Sequence, residues 1–433
     1  MPFPRLGRVS ARAGIIVTGT EVLSGQIADQ NGPWVAARLL ELGVDVAHTT
    51  ICGDRPRDLT AQLAFLADQR VDLIVTTGGL GPTADDLTVE TVAAFCGLPL
   101  RADDVLAQQI EAIIRSWRRY AEVDELPDAL AAAIAKQALV PDGALPIAPT
   151  GTAPGIAIAA AADRPAILIL PGPPRELQAM WPAALATPAV AGVLARADDV
   201  EHRQLRAFGL SEPDLATTLR RAEQELPGFG ALEVTTCMRG GELDISTRFP
   251  HADEQTYLDL KALLRQQYST EIFSPDGTTL DDLLAAALAG ATIATAESCT
   301  GGMVAARLTD RAGSSSYVLG GIVSYANSVK TDVLGVPAAL IDEHGAVSEP
   351  VAAAMADGAR AVTGADIAIS TSGIAGPGGA VPGKPVGTVC FGLAVAGRAT
   401  TTITRWLPGD RALVRTLATT VALHLVYRAL VPA

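Results

Sequence analysis

Val71-Asp-Leu-Ile-Val-Thr-Thr-Gly-Gly-Leu-Gly-Pro-Thr-Ala-Asp-Asp-Leu-Thr88 decides the fold class of the first part of the chain. Val71 to Thr77 reads as a buried strand, and Gly78-Gly79 stops it. Working outward, Ala13 to Thr18 and Val44 to Thr50 are further strands. Asn31 to Leu42 places Trp34, Val35, Leu39 and Leu42 at helical spacing before Gly43, and Arg57 to Gln69 is a second helix. Helices at Asp86 to Phe95 and Val105 to Ala121 follow, then strands at Gly155 to Ala160 and Ala166 to Leu170. Strand–helix alternation predicts a parallel α/β sheet covered on both faces.

The turn after Thr77 carries the chemistry. Gly79-x-Gly81-x-x-Ala84 mimics a dinucleotide fingerprint, but Pro82 falls in the turn and no second strand brings an acid about 20 positions on. The segment offers backbone N–H groups for an anion such as phosphate, then Asp85 and Asp86 for a hard cation; a tight turn with a helix-capping acid would use the same letters. Carboxyl ends of parallel strands share one crevice. Glu21 after the first strand, Asp54 after the second and Asp85/Asp86 after the third are therefore expected to converge. In Pro171-Gly-Pro-Pro-Arg-Glu176, Arg175 either faces a phosphate or belongs to a domain hinge.

The 433 residues suit about three domains at roughly 150 each. A formal net charge of −14 makes a nucleic-acid surface unlike the main business of the chain, and 49% hydrophobic with 18% charged residues excludes disorder. Five cysteines and five histidines are scattered, with no C-x-x-C pair. That excludes a zinc ribbon or disulfide framework and suits a reducing cytosol. The apolar run behind the three arginines of Met1 to Arg12 is cut by Gly19, and no apolar run approaches about 18 residues. The expected setting is cytoplasmic, with no membrane partner.

Residues 175–275 read as a small α+β unit. It has a helix near Arg175 to Leu185, a strand at Gln204 to Phe208 and a helix from Ser211 to Glu225. A hairpin of Leu232 to Met238 and Glu242 to Phe249 and a helix at Asp253 to Gln267 follow. Ser274-Pro-Asp-Gly277 is a linker with turn chemistry. After residue 280 the alternation returns: a strand Thr292 to Ala296, a helix Met303 to Thr309 and a strand Gly320 to Tyr325. A helix opened by Ser348-Glu-Pro350, a strand Ile367 to Thr371, a Gly/Pro-rich loop 373–387, two strands and a helix from Asp410 complete it.

The strand ending in Ala296-Glu-Ser-Cys-Thr-Gly-Gly302 makes the amides of Thr300, Gly301 and Gly302 a candidate phosphate or oxyanion site. Ser298 and Cys299 are candidate nucleophiles. The cysteine needs a base such as His344; the serine can use a lysine, and Lys330 fits. Surface turn serines and a solvated lysine are the bland alternative. Gly378-x-x-x-x-Gly383-Lys384 matches a phosphate loop, but Pro385 replaces the Ser/Thr and no helix follows, so a loop over the pocket is the better reading.

GTEVLSGQIADQN (19–31), TTGGLGPTADDLTVE (76–90) and LPGPPRE (170–176) resemble the N-terminal domain of the CinA (competence/damage-inducible protein) family. AESCTGG (296–302), GSSSYVLGGIVSYANSVK (313–330), HGAVSEP (344–350), STSGIAGPGGAVPGKPVGTV (370–389) and PGDRALVR (408–415) resemble its C-terminal domain, a PncC-type nicotinamide mononucleotide deamidase. The resemblance implies a three-layer α/β/α, molybdopterin-binding-like domain over 1–172, a small α+β KH-like domain over 173–275 and an α/β domain over 280–433. It implies two activities. The N-terminal domain would hydrolyse ADP-ribose or a related NAD-type dinucleotide to AMP, and the C-terminal domain would turn nicotinamide mononucleotide into nicotinate mononucleotide and ammonia. A molybdopterin binder or a competence-associated binding protein without hydrolysis is the alternative for the N-terminal domain. Carried over by motif, Ser298, Ser315, Tyr325 and Lys330 map to the catalytic neighbourhood, with either serine as nucleophile, and Ser372, Gly373 and Arg411 map to the substrate. In the first domain Asp85 and Asp86 are the catalytic candidates; Glu21, Gly79, Gly81, Thr83 and Arg175 are substrate contacts. Asp54 and Asp86 are the candidate ligands of a divalent cation (magnesium, manganese or cobalt, with potassium as a further candidate). The C-terminal domain is expected to need no cofactor, and the chain to pair as a homodimer.

Overall fold

The computed structural model describes residues 11–117, 126–197 and 199–431. Two compact units result: Met1–His202 with Phe249–Glu254, and Arg203–Arg248 with Gln255–Ala433. Among the described residues no single helix is long and apolar enough to cross a membrane.

The first unit is built on a six-stranded sheet in the order Asp45–Cys52, Arg12–Thr18, Leu73–Thr77, Ala166–Leu170, Gly155–Ile158, Leu145–Ile147. The first four strands are parallel; each of the last two pairs antiparallel with the strand before it in the sheet. The sheet is thus mixed rather than wholly parallel. The connection from Ile158 to Ala166 is too short for a crossover of a dozen or more residues, so those strands return as a hairpin. Side chains alternate between two cores. Ile16, Ile74 and Ile167 meet Leu63 of helix Pro56–Asp68 and Ile110 of helix Asp104–Ser116. Ile15, Val17 and Leu168 meet Leu39 of helix Asn31–Glu41 and Met180 of helix Pro174–Leu185. This is the expected α/β/α layering.

Three boundaries differ from expectation. The helix foreseen over Val105 to Ala121 runs Asp104–Ser116, capped by Asp103 accepting from Leu106 N, and 118–121 lie outside the described residues. The helix after the glycine turn begins at Thr88 rather than Asp86, because both aspartates bind turn groups instead. Helices Pro174–Leu185 and Pro188–Leu194 bury Leu177, Trp181, Ala184, Val190 and Val193 in the first unit's core, so the packing of the first unit continues past residue 172.

The second unit holds the small α+β module and the C-terminal α/β layer together. The module's sheet has the order Glu233–Arg239, Glu242–Pro250, Val200–Phe208, Ile272–Ser274, with helices Glu212–Glu225 and Glu254–Gln267. The expected linker is no free hinge: Ser274 is fully buried and Gly277 O accepts from Arg206 Nε at 2.8 Å. The larger sheet has the order Val318–Val323, Ile293–Glu297, Ile367–Gly373, Thr388–Val395, Thr401–Trp406; its first three strands are parallel and the last two antiparallel. Short helices Leu280–Ala287, Asn327–Asp332 and Ala338–His344 escaped the sequence reading, being too short to show periodicity.

Strand Thr388–Val395 touches helix Glu349–Thr363 through Gly392, where an added Cβ would strike the carbonyl oxygen of Ala352 and approach Ser370 Oγ within 2.8 Å. Gly392→Ala should therefore lower unfolding free energy by about 2–3 kcal/mol. A urea-unfolding midpoint equal to that of the parent would refute the close approach.

Candidate functional site

Each unit gathers its polar residues at the carboxyl ends of its parallel strands. In the second unit, strand Ile293–Glu297 ends on a carboxylate that is only 1% exposed. Glu297 accepts from Gly302 N (2.9 Å), Val304 N (3.1 Å), Ala305 N (2.8 Å) and Thr295 Oγ1 (3.0 Å). Helix Met303–Thr309 thus starts on a side chain from the strand before it, where unpaired amides and the helix dipole favour an anion. Gly301 N donates to Ser298 O at 3.2 Å. The Thr300 hydroxyl, fully buried, meets Thr371 Oγ1 at 2.7 Å. Thr300, Gly301 and Gly302 therefore build the turn, and for Gly301 and Gly302 the expectation that their amides hold a ligand phosphate is corrected, since both are already bonded. Gly301 and Gly302 sit at φ 61° and 96°, backbone that only glycine adopts readily.

The same turn presents Ser298. Its N–H donates to Thr371 O at 2.9 Å. Lys330 Nζ lies 3.3 Å from Ser298 Oγ and donates to Ser324 O (2.7 Å) and Tyr325 O (3.2 Å). Lys330 stands in helix Asn327–Asp332 and is only 1% exposed. Burial pushes its ammonium group below the ordinary lysine value, against a smaller opposing effect of the Cys299 thiol. Cys299 is buried too, and burial pushes its thiol up to about 12, which leaves no thiolate at neutral pH. The candidate base for it, His344, turns its ring to Glu343 at 3.7 Å. Serine with lysine is the pair the geometry favours.

Around the pair, Tyr325 OH accepts from Arg411 Nη2 (2.9 Å), and Arg411 Nη1 donates to Gly376 O (2.9 Å). The remaining N–H groups of Arg411 are suited to an anion. Ser372 Oγ donates to Ala346 O at 2.6 Å. An added Cβ on Gly373 would come within 3.1 Å of Cys299 Sγ, so that position brings its strand end close to the serine turn. Ser315 does not join them. It is exposed on the turn Ser314–Ser316, which precedes strand Val318–Val323, whereas Ser298 follows the parallel strand beside it. The two serines lie at opposite ends of the sheet, about 20 Å apart along a six-residue strand. Lys384 Nζ donates to His344 O at 2.9 Å, fastening the glycine-rich loop, and a strand rather than a helix follows that loop.

In the first unit a cavity of about 570 Å³ is lined by Glu21, Asp29, Asn31, Asp54, Gly79, Gly81, Asp85, Asp86, Gln137 and Glu176, among others. Glu21, Asp54, Asp85 and Asp86 thus reach one cleft from the ends of three strands. Asp54 Oδ2 accepts from Thr20 N (2.8 Å) and Thr20 Oγ1 (2.9 Å). The Thr83 hydroxyl sits between Asp85 Oδ1 (2.5 Å) and Asp86 Oδ2 (2.6 Å), and this contact is the main cause that lowers the Asp85 pKa. An added Cβ on Gly81 would overlap Asp86, which explains a glycine there. Two expectations are corrected. Thr83 orients the aspartates and does not line the cavity, and Arg175 is exposed while its neighbour Glu176 lines the cavity, its pKa raised by burial. Sequence reasoning passed over Glu176, Gln137, Glu297 and Arg415. For Glu297 and Glu176 the available signal was an acid at the end of an apolar strand or in the first turn of a helix; Gln137 and Arg415 carry no such signal.

Among the described residues no lysine, arginine or histidine lines this cavity, and no three His, Cys, Asp or Glu groups stand close enough to hold a metal ion alone. The donor set is hard carboxylate oxygen, which fits a divalent cation whose remaining ligands are water and substrate phosphate.

The comparisons agree with this two-part build. Residues 14–191 match the model of a probable molybdopterin binding domain, and residues 278–430 match the CinA C-terminal domain. A CinA-like protein of Mycolicibacterium gilvum is 58% identical over 98% of this chain and 99% of its own. The CinA-like protein of Mycobacterium tuberculosis is 53% identical over 98% of each chain. The crystal structure of a competence or damage-inducible protein from Enterobacter asburiae is 34% identical, covering 36% of this chain and all of its own at a TM-score of 0.34. With its motifs, its two matched domains and relatives spanning nearly its full length, this chain belongs to the CinA-like protein family.

Proposed function

We propose that the second unit hydrolyses the carboxamide of nicotinamide mononucleotide to a carboxylate and ammonia. The observation that carries this reading is the buried Lys330 amine 3.3 Å from Ser298 Oγ, without a carboxylate among its hydrogen-bond partners. A serine hydroxyl is a weak nucleophile until a base takes its proton. A desolvated lysine spends more of its time as the free amine and can be that base. Ser298 Oγ attacks the carboxamide carbon while its proton passes to Lys330 Nζ. The C–N bond then breaks, Lys330 returns the proton to the leaving nitrogen, and ammonia departs. Water, deprotonated by the same amine, attacks the ester on Ser298, releasing the acid and restoring the hydroxyl. Arg411, with Tyr325, supports anchoring of the nucleotide phosphate.

We propose for the first unit the metal-dependent hydrolysis of the pyrophosphate bond in ADP-ribose or a related dinucleotide, giving AMP. The carboxylate-lined cavity supports this: a pyrophosphate would be repelled there unless a cation comes with it. Asp54 and Asp86 would hold that cation, which neutralises phosphate charge when bound. Thr83 orients both aspartates and holds the Asp85 carboxyl below its ordinary value. Glu176, with its pKa raised by burial, supplies a group able to accept a proton from an attacking water.

Three measurements test the proposals. Ser298→Ala should lower ammonia release by at least about 10³-fold while AMP formation from ADP-ribose is unchanged. An unaltered rate removes serine from the mechanism. The free amine of Lys330 is the active form and burial lowers its pKa, so kcat/KM for deamidation should rise with pH through a midpoint below the 10.5 of an ordinary lysine. A midpoint at or above that value, or a rate falling across neutral pH, contradicts the lysine base. Asp86→Asn should cost about 10²–10³-fold in AMP formation, and a chelator should abolish it. Full AMP release in the presence of chelator refutes the cation.

A further inference from the structure

We infer that the C-terminal helix Arg411–Leu430 ties the small α+β module to the serine turn, so that Glu242 and His424 are positioning residues for the site at the helix's other end. The functional meaning rests on the hydrolase reading above; the mechanical claim does not. The helix spans about 30 Å at 1.5 Å per residue. At its start, Arg411 holds Tyr325 OH and Gly376 O, and Arg415 donates to Cys299 O (3.1 Å) and Thr300 O (2.9 Å). Those two carbonyls flank the turn that presents Ser298. Further along, the helix belongs to the module. Gly241 at the hairpin turn lies so close that an added Cβ would come within 2.8 Å of Leu417 Cδ2. His424 Nε2 is 2.8 Å from Glu242 Oε1, and both residues are more than nine-tenths buried. The His424 ring stacks on Phe208 at 3.8 Å and meets Phe273 edge-on at 4.7 Å. Arg428 donates to Thr270 O at 3.2 Å. Arg307 joins the set, gripping Asp281 through two bonds of 2.9 and 3.1 Å, donating to Thr420 Oγ1 at 3.1 Å and lying 4.0 Å from Glu242.

A buried carboxylate is costly unless paired, so Glu242 holds the histidine, and with it the helix, in one position along its axis. The two sets of contacts fall on different faces of a helix whose middle, residues 418–424, is buried without a break, so it shifts as a rod rather than bending. Losing the module end frees the helix to slide or tilt, and the two arginine bonds to the serine turn loosen with it.

Hydrogen–deuterium exchange on the full chain tests this without assuming a substrate. In Glu242→Ala, amides of the peptide 296–305 should exchange about tenfold faster than in the parent, with peptides of the first unit unchanged, and Glu242→Gln should restore protection. His424→Phe, which keeps the aromatic stack and removes the polar bond, serves if the alanine variant does not fold, with the same expected loosening at 296–305. Ammonia release should fall with it, mainly in kcat. Faster exchange confined to strand Glu242–Pro250 and residues 416–430, with 296–305 as protected as in the parent, overturns the inference. Loosening at 296–305 in the variant, when the parent itself releases no ammonia, upholds the coupling and refutes the hydrolase reading instead.

Discussion

The carboxylate of Glu297 is the constraint on which the second unit's site depends. It is a negative charge buried at the end of a central strand, satisfied by three main-chain amides that open the next helix. Charge-assisted bonds of this kind are strong, and leaving such amides buried without partners would be costly. The result is a turn of fixed shape between strand and helix. Ser298 is held by Thr371 O, Thr300 by the Thr371 hydroxyl, and the carbonyls of Cys299 and Thr300 by Arg415. A serine so fixed can meet a lysine from another helix at a distance that a flexible loop would not maintain.

The two units solve related problems with opposite electrostatics. In the second, the amine is desolvated by the packing around it, which favours its neutral form against the pull of the carbonyl oxygens it bonds. In the first, the cleft is lined with carboxylates held by hydroxyl and amide donors; the Thr83 hydroxyl lowers the Asp85 pKa, while burial raises that of Glu176. One arrangement suits proton transfer at a neutral carboxamide; the other suits a cation and a polyphosphate. Both use the carboxyl ends of parallel strands, where successive connections leave the sheet side by side.

Where residues follow a buried strand directly, the chain could be read in advance. Glu21, Asp54 and Asp85/Asp86 were placed together because each comes just after an apolar run, and the cavity collects all four. Ser298 likewise follows a buried strand directly, while Lys330 lies a short way into a later helix and Arg411 at the start of another. The misreadings have physical causes. Arg175 and Glu176 are adjacent on a helix, so their side chains point about 100° apart, and sequence alone does not say which faces the cleft. Ser315 and Ser298 belong to neighbouring strands, but one precedes its strand and the other follows, a distinction that a motif list does not carry. The amides of the glycine turn looked free because their partners, Glu297 for Gly302 and the carbonyl of Ser298 for Gly301, sit inside the motif, and Glu297 reads as an ordinary charged residue until its burial is known.

The central claim is that the buried lysine serves Ser298 as a base. Replacement by methionine keeps the length and apolar stem of the side chain and removes the amine, so the site's packing is retained. The decisive measurement is ammonia release from nicotinamide mononucleotide by Lys330→Met, made alongside its melting curve and its AMP formation from ADP-ribose. The account predicts a loss of at least about 10³-fold in ammonia release, with a cooperative melt and an unchanged first activity. Ammonia release within a few fold of the parent would contradict it.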